Sequence, residues 1–199
     1  MRSLLHVSTE LIQLLESVHH IKKIEKGSYL FQEGIYAEEV FIIQSGKVKI
    51  SKITPDGREL TLRLASDGDL VGELSLFCPA SKYLLSATVM ESGEVAVIYK
   101  EELEKRLAMD NHLLIEFMKW MNIQNQKMQT KFRDLILHGK KGALYSTLIR
   151  LTNSYGIKTD DGIKIDLPLT NQELANFCGT SREVVNRMLS DLRKNDILS

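Results

Sequence analysis

Cysteine is scarce in this chain: 199 residues hold two, Cys78 and Cys178, far apart. Two thiols so separated offer neither a disulfide framework nor metal-ligand spacing. Net charge is missing as well, since 26 Lys and Arg balance 26 Asp and Glu. The chain as a whole therefore carries no basic signature for nucleic acid. From Lys140 to Ser199, nine basic residues face seven acidic ones, a net of +2 that leaves −2 elsewhere. That asymmetry is too small to assign a partner. No apolar run approaches the roughly 18 residues that span a bilayer, so no membrane partner is expected. His6, Ser8, Thr9 and Glu10 interrupt the first residues, which lack the continuous apolar core of a signal peptide. A reducing, cytoplasmic location is the expectation. P-loop, nucleophile-elbow and His-Glu-x-x-His patterns are all missing. His19, His20 and His138 have no defined ligand spacing. An enzyme is not expected.

What is present is an ordinary globular balance, 43% hydrophobic and 26% charged, enough for a sizeable core. Thr9 to Val18 reads as a short helix, capped by Ser8 or Thr9, with Leu11, Leu14, Leu15 and Val18 on one face. From Ile24 to Tyr99 the texture is short β-rich runs punctuated by glycine. Val48-Lys49-Ile50 and Leu60-Thr61-Leu62-Arg63-Leu64 alternate as half-buried strands do, and Thr54-Pro55-Asp56-Gly57 between them is a turn signal. A β-sandwich or β-roll follows from that pattern.

Near Lys100 the period becomes helical. Glu101 to Met109 forms one helix, and a longer one runs from Asn111 to His138 with no Pro or Gly inside. Its heptad places Met118, Asn125 and Phe132 at one seam position and Met121, Met128 and Leu135 at the other. Either a partner helix or the chain's own β domain can cover such a seam. Its length of roughly four turns favours a partner, and a lone Asn fixes register in parallel pairs. Gly139-Lys140-Lys141-Gly142 punctuates the helix. Three domains follow: 1–110 as a sensor-like β-roll, 111–139 as a dimerisation helix, and 140–199 as a third, helical domain. In the last, Ala143 to Tyr155 is a helix ended by Asn153-Ser154-Tyr155-Gly156, and Ile163 to Leu167 alternates as a strand.

The strongest constellation lies between Thr170 and Lys194. Thr170 caps a first helix, with Glu173 completing a capping box. Ala175 is small enough for a second helix to cross closely, and Gly179 supplies the tight turn. Thr180 or Ser181 caps the second helix, while Leu174, Cys178, Val185 and Met188 or Leu189 lock the pair together. Cys178 is better read as core than as redox chemistry; Cys78, beside Pro79, stands in a loop. Ser181, Arg182, Glu183, Asn186, Arg187 and Ser190 are left pointing outward. Arg pairs with guanine, Asn with adenine, and Glu accepts from cytosine. This is a helix-turn-helix, and double-stranded DNA is its partner.

With those elements in that order, the chain resembles the Crp/Fnr family of bacterial transcription regulators. Val71-Gly72-Glu73-Leu74-Ser75-Leu76-Phe77 looks like the family's Gly-Glu loop, and Thr180 to Leu189 like its recognition helix. Phe132 to Leu151 is similar to the Bacillus-type Fnr branch, whose members are anaerobic regulators. The resemblance implies an α+β fold: an N-terminal β-roll of the cyclic-nucleotide-binding jelly-roll kind, a long dimerisation helix and a C-terminal winged helix-turn-helix. It implies a homodimeric regulator or activator of oxygen-responsive genes, with RNA polymerase as a further partner. Glu183, Asn186 and Arg187 occupy the positions that read a TGTGA-type palindrome.

The effector departs from the family pattern. Cyclic-nucleotide members add an Arg-Ser pair to the Gly-Glu loop. Here that pair is Leu85-Ser86, so a buried cyclic phosphate would lack its cation. No cyclic nucleotide is expected, and Glu73 is read as a structural turn residue. The rival reading is a cyclic-nucleotide- or other small-molecule-binding regulatory module whose C-terminal helices only mediate protein contacts; the missing arginine argues against the ligand, and the outward set of the second helix argues for DNA. The Bacillus-type resemblance implies an iron–sulfur [4Fe-4S] cluster held by three cysteines and an aspartate, with Asp134 at the aspartate position. The cysteines would lie beyond Ser199, and Cys78 and Cys178 do not match them, so no cluster is expected in this chain. Read on its own, Asp134 is a solvent-facing carboxylate near Arg133 and His138. The sequence stops after Ile197-Leu198, where the wing should begin, so an incomplete wing is expected.

Overall fold

The computed structural model describes residues 11, 13–15, 19–79 and 81–198. Most of the helix expected over 9–18 lies outside them; Leu11 and residues 13–15 are helical, and Leu11 and Leu15 are buried. The β-rich region holds β1 (His19–Ile24), β2 (Tyr29–Phe31), β3 (Glu39–Ile53), β4 (Glu59–Ala65), β5 (Leu70–Val71) and β6 (Ser86–Tyr99), with a 3-10 turn at Glu73–Ser75. The sheet order is β1-β6-β3-β4, with β2 also on β6 and β5 on β3. β3 and β6 run antiparallel from the pair Glu39–Tyr99 to Ser51–Ser86, with bulges between Ile43 and Val48. β1 begins five residues before the strand-rich texture becomes visible, at His19; its polar lysines sit on exposed positions and mask the alternation.

Both faces of β3 and β6 are covered, which explains their continuous apolar runs. In Val40-Phe41-Ile42-Ile43 every side chain is buried. Phe41 and Ile43 join one core with Phe31, Val71, Val95 and Val97. Val40 and Ile42 join the other with Ala96, Ile98, Leu103, Leu107, Phe117 and Trp120. The period of two thus distributes one strand between two cores, each buried side chain contributing about 1.5–3 kcal/mol.

Helix α1 is Lys100–Met109, and α2 is Asn111–Tyr155. Gly139 (φ 59, ψ −159) breaks α2 into two helical segments. A Cβ at Gly142 would collide with His138, so glycine is needed just past the break. The seam of α2 differs from its expected composition. Met118, Asn125 and Phe132 are exposed in the single chain, but the second row on that open face is Ile115, Asn122, Gln129 and Ile136. Met121 packs against the α1-side core of its own β domain, and Met128 and Leu135 are half-buried. At 3.6 residues per turn those three lie about 60° round the helix from Met118, Asn125 and Phe132, on the side where Met121 meets its own core.

Beyond α2, β7 (Gly156–Thr159) pairs antiparallel with β8 (Gly162–Ile165). The strand expected over Ile163–Leu167 is therefore shorter, and its partner begins at Gly156, the last residue of the segment expected to end the preceding helix, and runs on through residues given no assignment. Helices α3 (Asn171–Phe177) and α4 (Arg182–Lys194) follow. Packing divides the chain into two compact units, Met1–Ile53 with Leu62–Gln126, and Thr54–Thr61 with Lys127–Ser199. The second half of α2 and the tip of the β3–β4 hairpin thus cluster with α3 and α4.

Candidate nucleic-acid interface

Thr170 opens α3 with a complete capping box. Its hydroxyl accepts from Glu173 N at 3.2 Å, and Glu173 Oε2 accepts from Thr170 N at 2.6 Å. Two of the helix's orphan N–H groups are satisfied this way. Leu174, Ala175, Phe177 and Cys178 are buried. The chain then turns at Gly179, whose φ is +58. An added Cβ would meet only Leu60 Cδ1, at 3.6 Å, so glycine is needed there for conformation rather than for space. Ser181, rather than Thr180, caps α4, its hydroxyl accepting from Val184 N at 3.4 Å. Val185, Leu189 and Leu192 form the buried stripe of α4, and Met188 is only half-buried.

The opposite face of α4 presents Ser181, Arg182, Glu183, Asn186, Arg187 and Ser190 to solvent. The Ser181 hydroxyl is the chief cause holding the Glu183 carboxyl below its ordinary range. Glu183 is therefore an anion at neutral pH and can only accept hydrogen bonds. Asn186 is not isolated: Asn171 Nδ2, on the first residue of α3, donates to its Oδ1 at 2.7 Å. Thr170, Ser181, Arg182, Glu183, Asn186 and Arg187 thus share one open surface made by the start of α3 and one side of α4.

Behind this surface lies a polar cluster that sequence reasoning missed. Asn176, buried in α3, donates to Glu59 Oε2 at 2.7 Å and accepts from Gln172 Nε2 at 2.9 Å. Lys131 of α2 donates to Thr61 O at 2.9 Å and stands 5.0 Å from the centroid of the Phe177 ring. Burial, and next the nearby Arg150, bring its ammonium down to about 8. One signal was available: Asn176 interrupts the otherwise apolar stretch Leu174 to Cys178, and a buried amide requires partners.

Asp134 departs from its expected setting. Its side chain is 14% exposed, and it takes Arg133 Nη2 at 2.9 Å and Arg150 Nη1 at 3.3 Å. Its partner across the helix break is Arg150, not His138. These guanidiniums, Arg133 first, hold the carboxyl below its usual value. Cys78 is exposed and Cys178 is buried, with burial pushing the Cys178 thiol up. Among the described residues no group of three or more His, Cys, Asp or Glu side chains could hold a metal. The two thiols and an aspartate engaged by two arginines do not fit a four-ligand iron–sulfur cluster.

In the β-roll, Gly72 has φ +88, and Glu73 is buried and opens the 3-10 turn. Glu73 Oε1 accepts from Arg63 Nη2 at 2.9 Å, and the same Nη2 donates to Leu70 O at 2.8 Å. Leu85 stands before Ser86, whose hydroxyl accepts from Glu33 N at 3.1 Å. The carboxylate of the Gly-Glu loop is thus neutralised from within, by an arginine that strand alternation alone did not single out.

Two family models match the chain: a cyclic nucleotide-binding domain over residues 21–110 and a Crp-like helix-turn-helix domain over residues 142–199. The chain is 56% identical over 193 residues to the anaerobic regulatory protein of Bacillus subtilis, covering 97% of this chain and 81% of that one. It is 30% identical over 166 residues to a CRP-like cAMP-activated global transcriptional regulator of Mycobacterium tuberculosis, covering 83% of this chain and 74% of that one. Its fold is similar to that of the c-di-GMP-responsive global regulator CLP of Xanthomonas campestris, with a TM-score of 0.83, 24% identity, and coverage of 96% and 95%.

Proposed function

This chain belongs to the Crp/Fnr family of bacterial transcription regulators, and from that premise we propose that it reads a TGTGA-type palindrome as a homodimer and controls genes of the anaerobic response. Its relatives and fold are those of DNA-binding regulators rather than enzymes. The observation that carries the reading is the open surface of α3 and α4, where Glu183, Asn186 and Arg187 project from a capped, apolar-backed helix. Arg187 suits guanine and anionic Glu183 suits cytosine N4. Arg182, Ser181 and Thr170 suit the phosphates that set register.

Family members act as dimers, and here the open face of α2 offers the seam. Met118 is 62% exposed, Phe132 58% and Ile136 67%. Side chains of that size at heptad spacing call for a partner helix. Two recognition helices then engage half-sites about 34 Å apart. RNA polymerase is the downstream partner in this reading, and the cytoplasm its location; no helix among the described residues is long and apolar enough to cross a membrane. The anaerobic role rests on the relationship to the Bacillus subtilis regulator. An iron–sulfur cluster is no part of the mechanism derived from these residues, because their donor set does not fit one. The α2–head connection instead carries the Arg133–Asp134–Arg150 ion cluster across the break at Gly139.

A gel shift tests the proposal. The full chain, under anaerobic conditions, should retard a TGTGA-N6-TCACA duplex and not a scrambled one. Arg187→Ala should cost about 1–3 kcal/mol and relax selectivity at one base pair per half-site. A loss that is uniform over all sequences would remove Arg187 from base reading.

A further inference from the structure

An asparagine amide has a donor end and an acceptor end, and which end faces a base decides what it reads. In the major groove the keto bases guanine and thymine present the acceptors O6 and O4. The amino bases adenine and cytosine present the donors N6-H and N4-H there; the acceptor N7 is common to both purines, so only the exocyclic group separates keto from amino bases. Asn186 lies on the exposed side of α4 that the proposed function turns to DNA, and its Oδ1 accepts from Asn171 Nδ2 at 2.7 Å. The acceptor end is therefore turned back toward α3, and the donor end is left for the groove.

Both partners leave fixed backbone. Asn171 follows Thr170, whose capping box with Glu173 sets the start of α3. Asn186 lies between Val185 and Leu189, which are buried in the core shared by the two helices. Each side chain has only two rotatable bonds, so a contact between two anchored helix positions holds the amide plane as well as its polarity.

From this geometry we infer that Asn171 is a specificity-determining positioning residue: it sets Asn186 as a hydrogen-bond donor, so that Asn186 selects a keto base. The inference rests on the DNA-reading role proposed above. It replaces the expectation that Asn186 pairs with adenine through both ends of its amide, since bidentate pairing needs Oδ1 aimed at N6-H rather than at Asn171.

The test compares binding of the full chain to palindromes carrying each of the four bases at one symmetric position. Asn186→Ala first identifies that position, as the base pair where it alone flattens selectivity. There the wild type should favour keto over amino bases about tenfold. Asn171→Ala should shrink this ratio to less than about threefold. Asn171→Asp is the decisive variant. Its carboxylate cannot donate, so it accepts from Asn186 Nδ2 and turns Oδ1 outward, and the preference should invert to amino bases. A carboxylate in the first turn of α3 is favoured by the helix dipole, so the fold is retained. Its repulsion of DNA phosphates cancels in a ratio taken within one variant. Unchanged ratios in both Asn171 variants, with uniformly lower affinity, would make Asn171 a phosphate contact and overturn the inference. So would a wild type that favours an amino base there. If the wild type did not separate the palindrome from a scrambled duplex, the DNA-reading role itself would fail, and this inference with it.

Discussion

Raising the pH from 7 to 9.5 should favour the folded state through Lys131, opposed only near the top of that range by the buried Cys178 thiol, which burial pushes up from 9.0. Its ammonium donates to Thr61 O at 2.9 Å and lies over the Phe177 ring. Burial is the main cause that brings it from the ordinary 10.5 to about 8, with Arg150 adding to the fall and Cys178 opposing it. Between those two values the unfolded chain binds more protons than the folded one, so stability rises with pH. The full shift corresponds to about 3 kcal/mol, of which about 2 kcal/mol accrues between pH 7 and pH 9.5. Lys131→Met keeps an unbranched chain over Phe177 and removes the titration. Losing the bond to Thr61 O costs about 1–3 kcal/mol, and shedding the desolvated charge returns a similar amount. The readout is therefore the pH dependence rather than the absolute stability. Urea midpoints followed by helical circular dichroism at the two pH values give the double difference between wild type and variant. The wild type should gain about 2 kcal/mol more than Lys131→Met. Parallel behaviour of the two proteins would refute the reasoning, because it would mean that Lys131 titrates as an exposed lysine does.

Two further perturbations follow from the geometry. Arg63→Leu leaves the Glu73 carboxylate, 10% exposed, without its guanidinium; partial exposure of the arginine reduces the usual cost to about 1–3 kcal/mol. The melting temperature should fall, and Glu73→Gln in the same background should restore most of it, which a merely steric defect would not allow. Thr170→Ala removes one side of the capping box and should cost about 1 kcal/mol, visible as faster amide exchange over α3, whereas Thr170→Asp should retain protection.

The sequence displayed what repeats locally. The alternation in β3, the turn at Thr54 to Gly57, and the cap, turn and apolar stripe of Thr170 to Leu189 all stand in short windows, and each holds in the structure. What stayed hidden involves residues distant in sequence. Asn176 meets Glu59, Lys131 meets Thr61, and Arg63 meets Glu73; no periodicity relates such pairs. Asp134 shows the same limit. Its neighbour Arg133 was visible, but Arg150 reaches it only because the chain breaks at Gly139. On α2, Met118, Asn125 and Phe132 are exposed, whereas Met121 of the same expected seam turns to its own core. Both assignments satisfy the same apolar spacing, and only packing separates them.

The hairpin tip at residues 54–61 changes the mechanics of the joint. Because it belongs with the reading helices while both its strands are rooted in the β-roll, the backbone passes from one body to the other after Ile53, Thr61 and Gln126. One covalent link would act as a swivel, free to rotate about its own axis. Three links share a load, so a rotation of one body twists or bends at least one of the others.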